Sequence, residues 1–261
     1  MRALPGVSEG LLFSLCARYL ETQRPDGIIF DQKAIEIVHR LNLDCAALAR
    51  HNRLWPTQAA VAIRTEILDR AVQRFLQVHP EAVVVNLGAG LCTRYFRVDN
   101  GRVRWYELDL PALKRTWSHL FGESDRHRYL GCPLMDFAWT DILQPLRRSP
   151  FLFIAEGLLM YLTECEARQL VACLGAAFPC AELLAEAVSP VVVDRRQGAE
   201  ALAFRWGIDR GCNLESWSGA IQFLQEWYYL DYHPHRWGWL RLLRRLPAVR
   251  RSMKIIHIRY R

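Results

Sequence analysis

VVVNLGAGLCTRYFR, residues 83–97, runs three consecutive valines into a loop that holds two glycines. Val83, Val84 and Val85 suit the centre of a parallel sheet, where both faces of a strand are covered and the alternation of a half-exposed strand disappears. Gly88 and Gly90 end the run. A loop that needs positive φ, or that brings backbone N–H groups against a ligand, uses glycine because any Cβ would obstruct it. Alone, the pair is ambiguous: the third glycine of the dinucleotide pattern is missing, and many strand-to-helix turns contain glycine without binding anything. VRWYELDL, residues 103–110, adds a second strand that ends in acids. Asp109 stands about 20 residues beyond the glycines, where a nucleoside-binding α/β fold carries the carboxylate that accepts both ribose hydroxyls.

Downstream, the alternation continues. Leu113–Phe121 reads as a crossover helix, Arg128–Leu130 as a brief third strand, and Met135-Asp136-Phe137 follows it. Phe151–Ala155 is a buried strand ending in Glu156-Gly157, 164–178 a helix, and Glu182–Val188 a fifth strand. Strands and helices alternating at this length imply a parallel sheet covered on both faces, with ligands at the carboxyl ends of its strands. Asp109, Asp136 and Glu156 all fall at such ends. Ala220–Tyr232 reads as helix turning to strand, and Lys254–Tyr260 as a last strand, which together suit an antiparallel hairpin closing one edge.

Upstream, Ser8–Leu20 and Ala34–Leu43 carry apolar residues at helical spacing, and Arg24-Pro25-Asp26-Gly27 marks a turn between them. Thr57–Val78 is the longest helical pattern, ending before Pro80, and Arg64 lies within it. The expected architecture is α/β: one domain over 1–261, with a helical cap at 1–56 and a core at 57–261.

Half of the 261 residues are hydrophobic, enough for a sizeable core. The longest apolar run, Phe151–Leu162, is interrupted by Glu156 and falls short of bilayer length. Leu11–Ala17 follows a turn-like Pro5-Gly6 and is cut by Arg18, so neither a secretion signal nor a membrane span is expected. The eight cysteines show no C-x-x-C pair and no cysteine–histidine ligand spacing. Neither a metal nor a disulfide framework is therefore indicated, and a reducing cytoplasm is the expected compartment. Cys92, inside the glycine loop, is either a small space-filling residue or a reactive thiol. His233-Pro234-His235 has no third ligand nearby and reads as an exposed turn.

The net charge of +7 is uneven, because residues 232–261 hold nine of the 34 basic residues and no acid. The rest has 25 basic residues against 27 acidic. The arginines of Leu240–Leu246 alternate with leucines, as in a basic helix docked on the domain by its apolar face, so nucleic-acid binding is not expected.

The four segments NLGAGLCTRYFR, WYELDLP, GCPLMDFAW and IAEGLLMYL, preceded by ARYLETQRPDGIIFD and VAIRTEILD, resemble the leucine carboxyl methyltransferase family. The likeness is to its bacterial branch, which is similar to polyketide-synthesis O-methyltransferases of the tetracenomycin type. The resemblance implies a class I, Rossmann-like methyltransferase fold, mostly parallel, with S-adenosylmethionine as cofactor under the helical cap. By their match to the family, Arg64 would hold the cofactor carboxylate as a bidentate fork, and Arg18 would be a basic residue of the cap. Gly88 and Gly90 would admit the methionine portion, and Asp109 would accept from the ribose hydroxyls, with Glu107 as a substitute. Leu134 and Asp136 fall where the family contacts adenine, although Pro133 stands where the eukaryotic relatives carry an acid. Glu156 would face the α-ammonium or the sulfonium.

The expectation is a cytoplasmic S-adenosylmethionine-dependent O-methyltransferase of a small-molecule acceptor, most simply a carboxylate of an aromatic or polyketide-like acid, with positive charge from Arg94 or Arg205. A hydroxyl acceptor is the alternative. A cofactor- or RNA-binding protein working through its basic tail is the alternative from another class. No catalytic residue, oligomeric state or acceptor identity follows from these residues.

Overall fold

Residues 7–51, 55–196 and 204–261 are described by the computed structural model, so Pro5-Gly6 and the stretch 197–203 lie outside it. Three helices come first: α1 (Glu9–Thr22), α2 (Gln32–Leu41) and α3 (Cys45–His51). Ser8 caps α1 by accepting from the Leu11 N–H, and Asp31 caps α2 by accepting from that of Ala34, each satisfying a donor the first turn leaves open. The long α4 (Trp55–Val78) leads into β1 (Val83–Leu87), followed by α5 (Arg94–Val98), β2 (Arg104–Asp109), α6 (Lys114–Phe121) and β3 (His127–Gly131). Then come α7 (Trp139–Leu143), β4 (Phe151–Ala155), α8 (Glu164–Ala177), β5 (Glu182–Val188) and α9 (Pro190–Arg196). The chain ends with β6 (Ile221–Tyr228), α10 (Pro247–Arg250) and β7 (Met253–Tyr260).

Among the described residues, seven strands form one sheet in the order β3-β2-β1-β4-β5-β7-β6. β1 pairs parallel with both β2 and β4 and is buried along its whole length, which is why its valines do not alternate with polar residues. β7 runs antiparallel between β5 and β6, so the edge pair expected at the end of the chain is present. One apolar layer, with Trp139, Phe153 and Leu170, covers one face; the other, with Ile63, Leu68, Val72 and Trp105, covers the opposite face. The strand order reverses beside β1, so the carboxyl ends of β1 and β4 flank a crevice of the kind that holds ligands in open α/β sheets.

Helices α1 and α2 close over that crevice. Leu12, Leu15, Ile37 and Val38 pack together with Leu91 of the glycine loop. Cys16 and Cys45 are joined as a disulfide across 29 residues, tying α1 to α3. The expectation that no disulfide framework is indicated is corrected to this one bridge: the two cysteines share no short motif and meet because α3 folds back against α1.

Two further expectations change at the C-terminus. Ile221–Tyr228 is strand throughout, with a bulge between Phe223 and Gln225, because pairing with β7 sets its conformation rather than its helix-like aromatic spacing. Leu240–Leu246 is not a docked α-helix: Leu240 to Arg245 end a 3-10 run, Pro234–Arg245, kinked at Gly238, and Leu246 caps it. Arg236 and Trp237 are buried, whereas Trp239, Leu242 and Leu246 stay exposed. Among the described residues no helix is long and apolar enough to cross a membrane.

Candidate functional site

The site begins where β1 stops. Gly88 and Gly90 have φ of 63° and 52°. A Cβ on Gly90 would come within 2.4 Å of Leu11 Cδ2, and one on Gly88 within 3.0 Å of Leu158 Cδ1. The loop is thus pressed between α1 and the turn after β4, in a conformation that only glycine adopts without strain. Asp109, at the tip of β2, accepts from the Gly90 N–H (2.7 Å) and the Leu110 N–H (2.7 Å), so its carboxylate is held against the loop with acceptor capacity left over.

Glu107 does not share this place. It lies deeper in the sheet, where Asn86, the Trp105 indole and His127 surround its carboxylate. The substitute role read for it is therefore corrected: two residues along a strand keep the same face but move one step into the core.

On the other side of β1, a ladder of buried charges crosses the crevice. Arg18 donates from Nε to Asp31 (3.0 Å) and from Nη2 to the Leu91 carbonyl (2.8 Å). Arg97 bridges Asp31 and Asp69, and Arg94 bridges Asp69 and Glu156. Arg64 then lies 2.7 Å from Glu156 and 3.0 Å from Glu186. Glu186 also accepts from the Tyr229 hydroxyl (2.8 Å) and the Gly157 N–H (2.7 Å).

The ladder sets the protonation of its members. Burial by itself would raise Asp31 and Glu156, but Arg97 and Arg18 hold Asp31 below the usual carboxylate range, and Arg64 and Arg94 hold Glu156 well below it. Burial and the Glu186 charge push the Tyr229 phenol well up. Burial also raises the Cys92 thiol, so at neutral pH it is a neutral wall residue rather than a thiolate.

One junction in the ladder gathers three members: Glu156 lies between Arg64 Nε (2.7 Å) and Arg94 Nη2 (2.8 Å), with these atoms buried. Two guanidiniums on one carboxylate leave positive charge at this point, although Glu186 and Asp69 share it. A cavity of about 210 Å³ opens at this junction, walled by Arg18, Arg64, Gly88, Cys92, Glu156 and Tyr161 among others.

A second cavity, about 400 Å³, shares Gly10, Ser14, Arg64, Gly157 and Tyr161 with the first. Phe13, Met160, Phe204 and Met253 make it largely apolar, and the exposed Glu9 stands among its lining residues. Neither cation expected to serve an acceptor is in its wall: Arg94 is fully buried against Asp69 and Glu156, and Arg205 is exposed beside Glu166. Arg64 is the cation present there.

Of the residues named from sequence, Arg18, Arg64, Gly88 and Glu156 meet at the first cavity, with Gly90 and Asp109 adjoining through the loop. Leu134 and Asp136 form a 3-10 turn after β3 outside that wall, Leu134 half-buried and Asp136 exposed. Asp31, Asp69, Arg97 and Glu186 were missed. Glu186 had a signal, since a charge inside the apolar run of β5 is as unusual as Glu156 after β4. His233 is committed to Glu66 at 2.7 Å.

The sequence profile for leucine carboxyl methyltransferase matches residues 12–175. The tetracenomycin polyketide synthesis O-methyltransferase TcmP of Streptomyces glaucescens is 32% identical over 234 residues, 87% of this chain and 85% of that protein. An S-adenosyl-L-methionine-dependent methyltransferase of Gibberella zeae is 27% identical over 176 residues, 62% of this chain and 58% of the other. Among solved structures, a methyltransferase dependent on the same cofactor, from Anabaena variabilis, has a TM-score of 0.50 at 13% identity, covering 74% of this chain and 85% of its own, a likeness of fold.

Proposed function

The chain belongs to the leucine carboxyl methyltransferase family, which makes it an S-adenosylmethionine-dependent O-methyltransferase, and we propose that it methylates the carboxylate of a small aromatic or polyketide-like acid. In this reading 1–56 is the cap and 57–261 the catalytic core.

The residues at the first cavity fit the cofactor. An α-amino acid group carries one carboxylate and one ammonium, and the Arg64–Glu156 pair in the cavity wall carries one complementary charge for each. Arg64 would take the carboxylate, with Arg18 behind it, and Glu156 the ammonium. The loop at Gly88 and Gly90 would follow the methionine portion. Asp109 would accept from the ribose hydroxyls, and Leu134 and Asp136 would border the adenine. The bound cofactor supplies an electrophilic methyl group on a sulfonium sulfur.

The acceptor would enter the second cavity, against Phe13, Met160, Phe204 and Met253, with Arg64, itself paired with Glu156 and Glu186, in the wall. The observation that carries the carboxylate reading is the lack of an inner base. Among the described lining residues there is no histidine, and Glu186 is occupied by Arg64, Tyr229 and the Gly157 N–H. An acceptor that is already ionised, with a pKa near about 4, needs no proton removed. The protein would then act by fixing its oxygen about 3 to 3.5 Å from the methyl carbon, in line with the departing sulfur.

One observation favours a hydroxyl acceptor instead: Glu9, exposed among the lining residues, could receive its proton. Product identification with a pH–rate profile separates the two. A methyl ester, formed at a rate flat through neutrality and indifferent to Glu9→Gln, supports the carboxylate. An ether, or activity that follows one titrating base, supports the hydroxyl.

A cytoplasmic location belongs to the same proposal. The six free cysteines fit it, while the Cys16–Cys45 bridge argues for an oxidising step, and thiol counting on protein trapped in its cell would decide.

A further inference from the structure

We propose that the arginine-lined hollow formed by Arg210 and the chain around α10 is a binding site for a phosphoryl dianion, separate from the methyl-transfer cavities. The hollow has a volume of about 430 Å³ and is walled by Arg210, Arg244, Arg245, Arg250 and Arg251, with Tyr228 beside them.

Its construction is specific. Two Arg-Arg pairs, 244–245 and 250–251, are separated by the Leu246–Val249 turn, which folds back through Arg250 N–H to Leu246 O (2.9 Å) and Arg251 N–H to Pro247 O (3.1 Å). That reversal turns four guanidinium groups toward one hollow, and Arg210 arrives from the segment before β6.

Two of the five charges are compensated. Arg250 donates to Asp231 from Nε (2.8 Å) and Nη2 (2.6 Å), with its guanidinium 4.9 Å over the Tyr228 ring. Arg251 lies 3.4 Å from Asp209. Arg210, Arg244 and Arg245 have no ion-pair partner among the described residues. Close by, Glu226 accepts from the Gly211 N–H (2.7 Å) and the Tyr228 hydroxyl, and the buried Lys254 donates to the carbonyls of Ile208 and Asp209, so neither group is paired with Arg210, Arg244 or Arg245.

Arg210, Arg244 and Arg245 thus face one hollow without an ion-pair partner among the described residues, an arrangement that an anion relieves. Guanidinium forks match phosphoryl oxygens with paired, charge-assisted hydrogen bonds. A monoanionic carboxylate would compensate one of the three charges, whereas a phosphoryl dianion compensates two and presents three acceptor oxygens. A free phosphate ester and a phosphomonoester lipid headgroup offer this same group. The exposed Trp239, Leu242 and Leu246 on the adjoining segment are the apolar contacts that a lipid would add.

The test uses the full chain. Inorganic phosphate is titrated by calorimetry, and vesicles of phosphatidylcholine with and without phosphatidic acid are tested by co-sedimentation. Saturable binding of phosphate alone assigns a soluble phosphoryl group; binding of phosphatidic acid vesicles but not of pure phosphatidylcholine assigns a headgroup. In either case the double substitution Arg244→Gln, Arg245→Gln should weaken binding about tenfold or more while S-adenosylmethionine binding is unchanged, which shows that the variant is folded. No saturable binding of either probe, equal competition by acetate, or an unaltered affinity in the double variant overturns the proposal. So does tighter binding of single-stranded DNA than of inorganic phosphate, with a steep salt dependence, since a chain of phosphodiesters would then be the ligand.

Discussion

At the scale of single residues, neighbours of similar chemistry have been given different work by depth. Asp109 and Glu107 lie on the same face of β2, yet Asp109 reaches the glycine loop while Glu107 is surrounded by Asn86, Trp105 and His127. Replacing Asp109 by Ala should therefore weaken S-adenosylmethionine binding by about 1 to 3 kcal/mol, the scale for leaving polar partners unmade. Because Asp109 also holds the Gly90 N–H, part of that loss will come from a looser loop, and Asp109→Asn should recover some of it. Calorimetry checks both variants; unchanged affinity in Asp109→Ala would remove this carboxylate from the cofactor site. Arg94 teaches the same lesson for cations, since its place in the glycine loop suggests access to an acceptor and its full burial against Asp69 and Glu156 denies it.

At the scale of elements, α1 is the part that completes the site, because it presses Leu11 onto Gly90 and brings Ser14 and Arg18 to the cavity wall. Its position is secured by the bridge to α3. A cross-link closing a loop of 29 residues stabilises by roughly 3 to 4 kcal/mol in the chain-entropy picture. Reduction, or Cys16→Ser, should lower the melting temperature by several degrees and weaken cofactor binding, whereas Cys165→Ser, at an exposed free thiol, should change neither. Equal melting curves with and without reductant would show that the bridge does not form in solution. The alternation of strands and helices, the central place of β1 and the carboxyl-end position of Asp109 and Glu156 were legible because periodicity and spacing are local properties. The Cys16–Cys45 bridge was not, having no motif, and neither was the second cavity, which gathers residues from α1, α4, β5 and the ends of β6 and β7. The tail was misread because a leucine–arginine alternation looks helical, while Gly238 (φ 51°, ψ −128°) breaks the run and leaves Leu242 outside the core.

At the scale of the whole molecule, buried ion pairs hold together parts that hydrophobic packing alone leaves as separate clusters. The ladder from Arg18 to Glu186 spans cap, loop and sheet, and Arg236 joins the C-terminal segment to the cap through two contacts with Glu21 (2.6 and 2.7 Å). Such pairs make stability depend on pH. Burial tends to raise the pKa of Glu21, Asp31, Glu156 and Glu182, but their partners outweigh it: Arg236 for Glu21, Arg97 and Arg18 for Asp31, Arg64 and Arg94 for Glu156, and His257 and Arg259 for Glu182. All four are lower in the folded chain than in the unfolded one. Their stabilisation is therefore fully present above the unfolded carboxylate range of about 4 to 4.5 and is lost as pH falls through the folded values, because there the unfolded chain binds more protons. The melting temperature should accordingly show no loss from these carboxylates between about pH 7 and 5 and fall steeply below about pH 4. The cap is tied to the rest through the Glu21 and Asp31 pairs, whereas β1 and β4 are also held by the apolar core, so the cap should loosen before the core. Hydrogen exchange across α1 and α2, compared with β1 and β4 during an acid titration, checks the order. Simultaneous loss of protection in both regions, or a stability that rises on acidification from neutrality, would show that these pairs do not carry the coupling between cap and sheet.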